Sequence, residues 1–111
     1  MKISFDFDST LAEDRIQKLA KVFINDGHEV WITTTRPKAV GINGEVILEH
    51  RDLYAVAKEL NIPEERIQMT GGTDKWRFLD GFDIHFDDDK IEVELIEENL
   101  PSCSAVLILD V

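Results

Sequence analysis

The chain has 111 residues, of which 43% are hydrophobic, and its formal net charge at pH 7 is −11. This length fits one domain over residues 1–111 and excludes a catalytic domain joined to a substantial second one. So acidic a surface repels phosphates of nucleic acid and anionic lipid, which opposes binding to extended nucleic acid. No apolar stretch approaches the roughly 20 residues of a membrane-spanning helix. The first predicted strand begins at residue 2, so no signal peptide is expected before it. We therefore expect a cytoplasmic protein with no membrane partner.

The pattern of apolar residues predicts strands that alternate with helices along the whole chain. Runs of apolar and β-branched side chains predict strands at residues 2–7, 29–34, 66–70, 83–86 and 104–109. Apolar residues at helical spacing predict helices at residues 11–26, 52–60, 74–79 and 91–99. Ser9 or Thr10 would cap the start of the first helix, and Gly27 would end it in a left-handed conformation. Val40–Glu49 could form a hairpin or a minimal lid.

This alternation predicts an α/β fold, a three-layer Rossmann-like sandwich without a substantial cap domain. The sheet would have about five strands, mostly parallel, with helices on both faces. In such sheets, ligands bind beyond the carboxyl ends of the strands. Several polar or charged residues lie at or just after predicted strand ends, namely Asp6, Thr34, Thr70, Lys75 and Asp87. The sequence therefore predicts that these residues meet at one edge of the sheet.

Two acidic residues, Asp6 and Asp8, follow the first predicted strand in the segment Asp6-Phe7-Asp8-Ser9-Thr10. At such a turn, one carboxylate can face a phosphorus atom or a metal while the next acidic residue serves in proton transfer. Two acids at one turn are more often merely solvated, but three further segments follow in order. These are Thr33-Thr34-Thr35-Arg36 after the second strand, Lys75 after a glycine turn, and Asp87-Asp88-Asp89 after a later strand.

The four segments, in this order, resemble the signatures of the haloacid dehalogenase-like superfamily of phosphohydrolases. The first signature, D-x-D-x-T, is similar to residues 6–10, and the second, an apolar strand ending in Thr or Ser, is similar to residues 30–36. The third, a lysine near a helix start, is similar to Lys75. The fourth, an apolar strand ending in two acids, is similar to residues 84–88. The resemblance extends over nearly the whole chain.

Two alignments with these signatures stay open. Among the three threonines, the position of Arg36 favours Thr34, but Thr33 or Thr35 could take its place. Arg36 itself could reach a substrate phosphate or pair with a surface acid.

Among the three aspartates, Asp87 and Asp88 are favoured because Asp87 directly follows Phe86 at the expected strand end. Asp88 and Asp89 are the alternative pair. Asp89 is otherwise expected to be the N-cap of the next helix.

The resemblance implies hydrolysis of phosphate monoesters through an aspartyl-phosphate. Asp6 would attack the phosphoryl group, and Asp8 would protonate the leaving oxygen and then deprotonate water. Thr34 would donate a hydrogen bond to a phosphoryl oxygen, and Lys75 would neutralise charge on the phosphate and on Asp6. Thr35 and Arg36 would complete the substrate-binding set with Thr34 and Lys75.

The resemblance also implies Mg²⁺ as the cofactor. Its ligands would be Asp6, the backbone carbonyl of Asp8, Asp87 and, directly or through water, Asp88. A carboxylate can attack a phosphate dianion only if cations offset the repulsion, and oxygen-rich sites suit Mg²⁺. The net negative charge of the chain makes such a cation more necessary.

The short connections resemble those of members without a cap, in which an open site admits bulky substrates or a second subunit of a homo-oligomer completes it. The expected substrate is a phosphorylated small molecule, such as a sugar or a nucleotide, or a phosphorylated macromolecule end. One alternative is a noncatalytic domain that binds metal or a phosphorylated partner. Another is a receiver that is phosphorylated on Asp6.

Overall fold

Five parallel strands form one sheet in this computed structural model, which describes residues 1–38 and 50–109. The strands are β1 (Lys2–Phe5), β2 (Glu29–Thr34), β3 (Ile67–Met69), β4 (Ile84–Asp87) and β5 (Ser104–Leu107). Their order across the sheet is β3-β2-β1-β4-β5, and every neighbouring pair is parallel. The predicted α/β fold with a parallel sheet is therefore confirmed.

Three α-helices connect the described strands, together with three short helical turns. The helices are α1 (Asp14–Asn25), α2 (Arg51–Glu59) and α3 (Lys90–Asn99). The short turns are Phe7–Leu11, Glu64–Arg66 and Lys75–Phe78. The last of these lies within the brief helix that was predicted at residues 74–79 and carries Lys75 at its start, as expected. None of the helices in residues 1–38 and 50–109 is both long enough and apolar enough to cross a membrane.

The predicted cap of the first helix was wrong. α1 is preceded by Glu13, which makes no side-chain cap, whereas Ser9 and Thr10 lie in the earlier turn Phe7–Leu11. That turn is closed by backbone hydrogen bonds from Leu11 N to Asp6 O and from Ala12 N to Phe7 O. Because the chain completes this turn first, the helix begins later than its apolar pattern suggests. Other cap predictions are confirmed, since Gly27 has a φ of +86° and the Asp89 side chain accepts from Ile91 N.

Helices cover both faces of the sheet, as strand alternation requires. On one face, α1 and α2 pack on β1, β2 and β4 through the buried side chains Ile3, Phe5, Ile16, Ile32, Leu53, Ala57 and Phe86. On the other face, α3 and the turn Lys75–Phe78 pack through a second cluster that includes Trp31, Trp76, Leu79, Phe82 and Ile96. The result is a three-layer sandwich with no cap domain in the described ranges. The lid considered at Val40–Glu49 lies outside the described residues.

The register of the sheet determines which side chains lie next to each other at its carboxyl edge. Phe5 pairs with Ile32 on one side and with Phe86 on the other. The backbone N–H of Asp6 donates to Phe86 O at 2.9 Å, so Asp6 continues the ladder by one residue. Asp87, the last residue of β4, is therefore brought beside Asp6.

Candidate active site

The Asp6 side chain lies at the carboxyl edge of the sheet and is almost completely buried, with 5% of its surface exposed. Its Oδ1 accepts a hydrogen bond from Lys75 Nζ at 2.8 Å. The Thr10 hydroxyl lies 3.3 Å from Asp6 Oδ2 and 3.3 Å from Asp88 Oδ1, and it can donate to one of them at a time. The turn Phe7–Leu11, in which Ser9 has a φ of +59°, returns Thr10 to this position.

Lys75 lies between two buried carboxylates. Its Nζ is 2.8 Å from Asp6 Oδ1 and 2.6 Å from Asp87 Oδ2, and the residue is 2% exposed. The chain reaches this position through Gly71 and Gly72, whose φ values of +63° and +89° favour glycine. Of the five residues that were predicted to meet at one edge of the sheet, Asp6, Lys75 and Asp87 are in direct contact. Thr34 and Thr70 are buried, and no hydrogen bond among the described residues joins their side chains to these three.

Burial and charge act against each other in this group. Burial raises the pKa of Asp6 to about 7, although the Lys75 ammonium lowers it. Burial lowers the pKa of Lys75, but Asp6 and Asp87 outweigh that effect and hold it above its ordinary value. Burial also raises the pKa of Asp87, but the hydrogen bond from His85 and the Lys75 charge hold it below its ordinary value. At neutral pH, Lys75 is therefore a cation and Asp87 a carboxylate, while Asp6 is close to its midpoint.

Three carboxylates could hold a metal ion at this edge. One oxygen from each of Asp6, Asp87 and Asp88 lies within 4.8 Å of the others. The two buried members and the exposed Asp88 offer only oxygen ligands, which is the chemistry that Mg²⁺ prefers. They line a cavity of about 190 Å³ whose wall is formed by Asp6, Asp8, Ser9, Thr35, Lys75, Asp87, Asp88 and Asp89. The donor set therefore fits a hard divalent cation.

The Asp8 carboxylate bonds to Arg36. Nη2 of Arg36 lies 2.6 Å from Asp8 Oδ1, and Nε lies 3.0 Å from Asp8 Oδ2. The same guanidinium bonds both oxygens of Asp52 at 2.9 Å, and its Nη1 lies 3.5 Å from His50 Nδ1. All five N–H donors of Arg36 are thereby engaged. Of the two alternatives that the sequence left open for Arg36, the structure contains the pairing with acids.

The acids around Arg36 also change its titration. Hydrogen bonds from Arg36 to Asp52 and to Asp8 raise the pKa of the guanidinium. In return, the hydrogen bond from Arg36 lowers the pKa of Asp52 to about 2. Arg36 also lies over the Phe7 ring, with its guanidinium carbon 5.0 Å from the ring centroid. This packing holds the guanidinium beside the cavity.

The three threonines of the second segment have different surroundings. Thr33 accepts from Ser4 Oγ at 2.7 Å and donates to Gln68 Oε1 at 3.0 Å, so its hydroxyl is engaged within the sheet. Thr34 is fully buried and accepts from the Arg36 N–H at 3.3 Å. A hydroxyl that accepts one hydrogen bond can still donate one. Thr35 is exposed and lines the cavity beside the carboxylates.

Two residues of the site were missed in the sequence. Asp52, at the start of α2, holds Arg36, and no sequence pattern links two residues so far apart. His85 is fully buried, and its Nε2 lies 2.8 Å from Asp87 Oδ2. A signal for His85 was present, since side chains two positions apart in a strand share a face.

Comparison of the chain with models of protein families, with curated proteins and with solved structures found no match. A parallel α/β sheet hosts many chemistries, so the fold alone does not indicate a reaction. The function must be inferred from the groups at the carboxyl edge, which are a buried lysine, three clustered carboxylates and a fourth carboxylate paired with an arginine.

Proposed function

We propose that this protein is a Mg²⁺-dependent phosphomonoester hydrolase that resembles the haloacid dehalogenase-like superfamily and works through an aspartyl-phosphate on Asp6. One observation carries the proposal, namely the buried Lys75 ammonium between the carboxylates of Asp6 and Asp87. A charged triad of this kind is costly to bury and gives little net stability. At the carboxyl edge of a parallel sheet, such an arrangement is better explained by chemistry on an anionic substrate.

The residues that would hold Mg²⁺ are Asp6, Asp87 and Asp88, together with the backbone carbonyl of Asp8. When bound, the ion would supply positive charge that offsets repulsion between the Asp6 carboxylate and a phosphate dianion. Lys75 places its positive charge beside Oδ1 of Asp6, whereas Thr10 contacts Oδ2. A cation beside Asp6 also favours its ionised form, which is the form required of a nucleophile.

In the first step, a carboxylate oxygen of Asp6 forms a bond to phosphorus, and the bond from phosphorus to the leaving oxygen breaks. Asp8 gives a proton to that oxygen. In the second step, Asp8 takes a proton from water, whose oxygen displaces Asp6 from phosphorus. Inorganic phosphate and the free Asp6 carboxylate are the products. Thr34 and Thr35 would donate hydrogen bonds to the phosphoryl oxygens.

Arg36 would contribute to substrate binding only by exchanging partners. Because all five of its donors are engaged, a substrate phosphate must displace at least one of the present acceptors, which belong to Asp8, Asp52 and His50. The exchange with Asp8 is the productive one, since it frees that side chain for proton transfer. Asp52 would meanwhile keep the guanidinium in place.

A second cavity supports a substrate larger than phosphate itself. It has a volume of about 530 Å³ and is lined by Ser9, Glu13, Arg15, Asp88 and Ile108. Ser9 and Asp88 also line the smaller cavity around Asp6, so the two spaces adjoin. A volume in this range suits the organic part of a sugar phosphate or a nucleotide. The net charge of −11 opposes long nucleic acid.

The test is phosphate release from a generic aryl phosphate and from a panel of nucleotides and sugar phosphates, with and without Mg²⁺. We expect release that requires Mg²⁺ and disappears in Asp6→Asn. A matched control is Asp26→Asn, the same change at an exposed acid that precedes β2 at the opposite edge of the sheet. Release that persists in Asp6→Asn would contradict the proposed nucleophile.

A second candidate is a noncatalytic domain that binds metal or a phosphorylated partner. It is favoured by the pairing of Asp8 with Arg36, because an acid held by a guanidinium is not free for proton transfer. Mg²⁺ binding without phosphate release from any compound would favour this candidate over the hydrolase. Mg²⁺-dependent release would exclude it.

A further inference from the structure

His85 contacts the candidate metal site from the interior of the protein. It lies two positions before Asp87 in β4, so the two side chains share one face of the sheet. The ring is fully buried, and its Nε2 lies 2.8 Å from Asp87 Oδ2. Among the residues that the structure describes, the other ring nitrogen, Nδ1, has no hydrogen-bond partner. The ring therefore has one polar contact there, and that contact is Asp87.

The direction of this hydrogen bond follows from the chemistry of the two groups. A carboxylate can only accept, so Nε2 must carry the proton and donate it. In a neutral imidazole the other nitrogen is then an acceptor, which agrees with an Nδ1 that meets no carboxylate or carbonyl. A buried imidazole that donates from Nε2 is a fixed, uncharged donor.

The remaining contacts of Asp87 show which of its oxygens is free. Oδ2 accepts from both His85 Nε2 and Lys75 Nζ, at 2.8 Å and 2.6 Å. Oδ1 accepts only the backbone N–H of Asp89, at 3.0 Å, among the hydrogen bonds of the described residues. A carboxylate oxygen has about two lone-pair positions. Oδ2 is therefore saturated, and Oδ1 has one position left for a cation.

We propose that His85 is a positioning residue for the metal site: its Nε2–H fixes the Asp87 carboxylate so that Oδ1 is presented to a divalent cation between Asp6 and Asp88. The inference rests on the proposed function, because it assumes that the three carboxylates bind Mg²⁺. Without the His85 donor, Lys75 alone holds Oδ2 of Asp87. The carboxylate can then rotate toward Lys75 Nζ or toward the backbone N–H of Asp89. Partners of this kind, behind a metal ligand, orient it and strengthen its binding.

The test compares three substitutions in the full-length protein, read out by the dissociation constant for Mg²⁺ in the absence of substrate. His85→Gln keeps an uncharged N–H donor near the position of Nε2. His85→Asn has the same amide but is one methylene shorter, so it stops short of Asp87. His85→Leu fills similar space without a donor. Isothermal titration calorimetry, or the rise in melting temperature with Mg²⁺, would measure the affinity.

We expect His85→Leu and His85→Asn to weaken Mg²⁺ binding about 10- to 100-fold, and His85→Gln to stay within a few-fold of the wild type. The Gln and Asn variants differ only in reach, so they decide the matter even if the Leu variant does not fold. Unchanged affinity in the Asn and Leu variants would overturn the proposal. Equal weakening of Mg²⁺ binding in the Gln and Asn variants would also overturn it. If His85 acted only by packing, the position of the amide donor in these two variants would not matter.

The outcome is separable from that of the proposed function. A wild-type protein that binds Mg²⁺ without hydrolysing any phosphate ester contradicts the hydrolase, and the three variants still test His85 through Mg²⁺ affinity. A wild-type protein that hydrolyses esters while the variants bind Mg²⁺ normally contradicts only the role of His85. No Mg²⁺ binding at millimolar concentration would overturn both.

Discussion

Asp8 and Arg36 form a two-point ion pair, in which Nη2 and Nε of the arginine lie 2.6 Å and 3.0 Å from the two carboxylate oxygens. The arginine side chain is 20% exposed and that of Asp8 is 57% exposed, so the pair lies at the mouth of the site. Surface pairs contribute little to stability. This ion pair joins the proposed acid, Asp8, to the proposed phosphate ligand, Arg36.

Replacing Arg36 by lysine should reduce activity although the charge is kept. A single ammonium cannot bridge Asp8 and Asp52 with the planar fork of a guanidinium, so the substrate phosphate loses a two-point partner. We expect kcat/KM for an aryl phosphate to fall about tenfold or more, mainly through KM. The matched control is Arg77→Lys, the same change at an exposed arginine that stacks on Trp76. Equal kcat/KM in both variants and the wild type would contradict the role of Arg36.

Asp6→Asn should stabilise the metal-free protein, and the gain should depend on pH. The pKa of Asp6 is raised from 3.8 to about 7. Between these values the folded state keeps a proton that the unfolded state has lost, so the free energy of unfolding falls as pH rises. The difference between variant and wild type should therefore grow from about pH 4 to about pH 7 and then level, reaching about 1–4 kcal/mol.

Urea denaturation in EDTA across this pH range would measure that difference. Mg²⁺ provides the control, since it should stabilise the wild type more than the variant. A difference that does not change with pH would mean that Asp6 titrates normally in the folded protein.

Lys75→Met should destabilise the protein strongly near pH 8. It removes the cation between Asp6 and Asp87 and leaves two buried carboxylates uncompensated, which costs about 3–5 kcal/mol. Adding Asp6→Asn to Lys75→Met should recover part of the loss, since only one buried carboxylate remains. Lys90→Met, at a side chain that is 76% exposed, is the control and should stay within about 0.5 kcal/mol. Equal stability of the two single variants would contradict a buried charged triad.

We expect Thr33→Val to lower the stability of the protein without changing its activity. We expect Thr35→Val to lower the activity without changing the stability. Thr33 exchanges hydrogen bonds with Ser4 and Gln68, so its replacement leaves polar groups unpaired and should cost about 1–3 kcal/mol without changing kcat/KM. Thr35 lines the cavity and is exposed, so its replacement should lower kcat/KM and leave the urea midpoint unchanged. Loss of activity in Thr33→Val alone, with folding intact, would reverse the assignment.

The fold and the charged centre could be predicted because both follow from the spacing of apolar residues and from the order of strands and helices along the chain. Alternating strands and helices predict a parallel sheet, and a parallel sheet brings its strand ends together. Asp6, Lys75 and Asp87 were therefore expected to meet, and they do. The start of α1 was not predicted, because the left-handed Ser9 closes a separate turn before the helix.

The partners of Arg36 could not be predicted for a different reason. Its contact with Asp52 joins two side chains from different elements, and a contact of this kind depends on loop path and side-chain rotamers rather than on spacing. The choice between Thr34, which the position of Arg36 favoured, and Thr35 also stayed open, since adjacent residues at a strand end can turn either way. In the structure, Thr35 lines the cavity, and Thr34 is buried against the backbone N–H of Arg36.

The ion pair between Lys75 and Asp6 joins positions 69 residues apart in a chain of 111. Making such a contact closes a long loop, and other contacts must offset the entropy that this closure costs. A nascent or partly folded chain therefore has the separate acids but not the lysine that compensates for them. Contact between Lys75 and Asp6 thus requires that the segment after β3 has packed against the end of β1, and any activity that depends on it would be restricted to molecules in which these two segments have assembled.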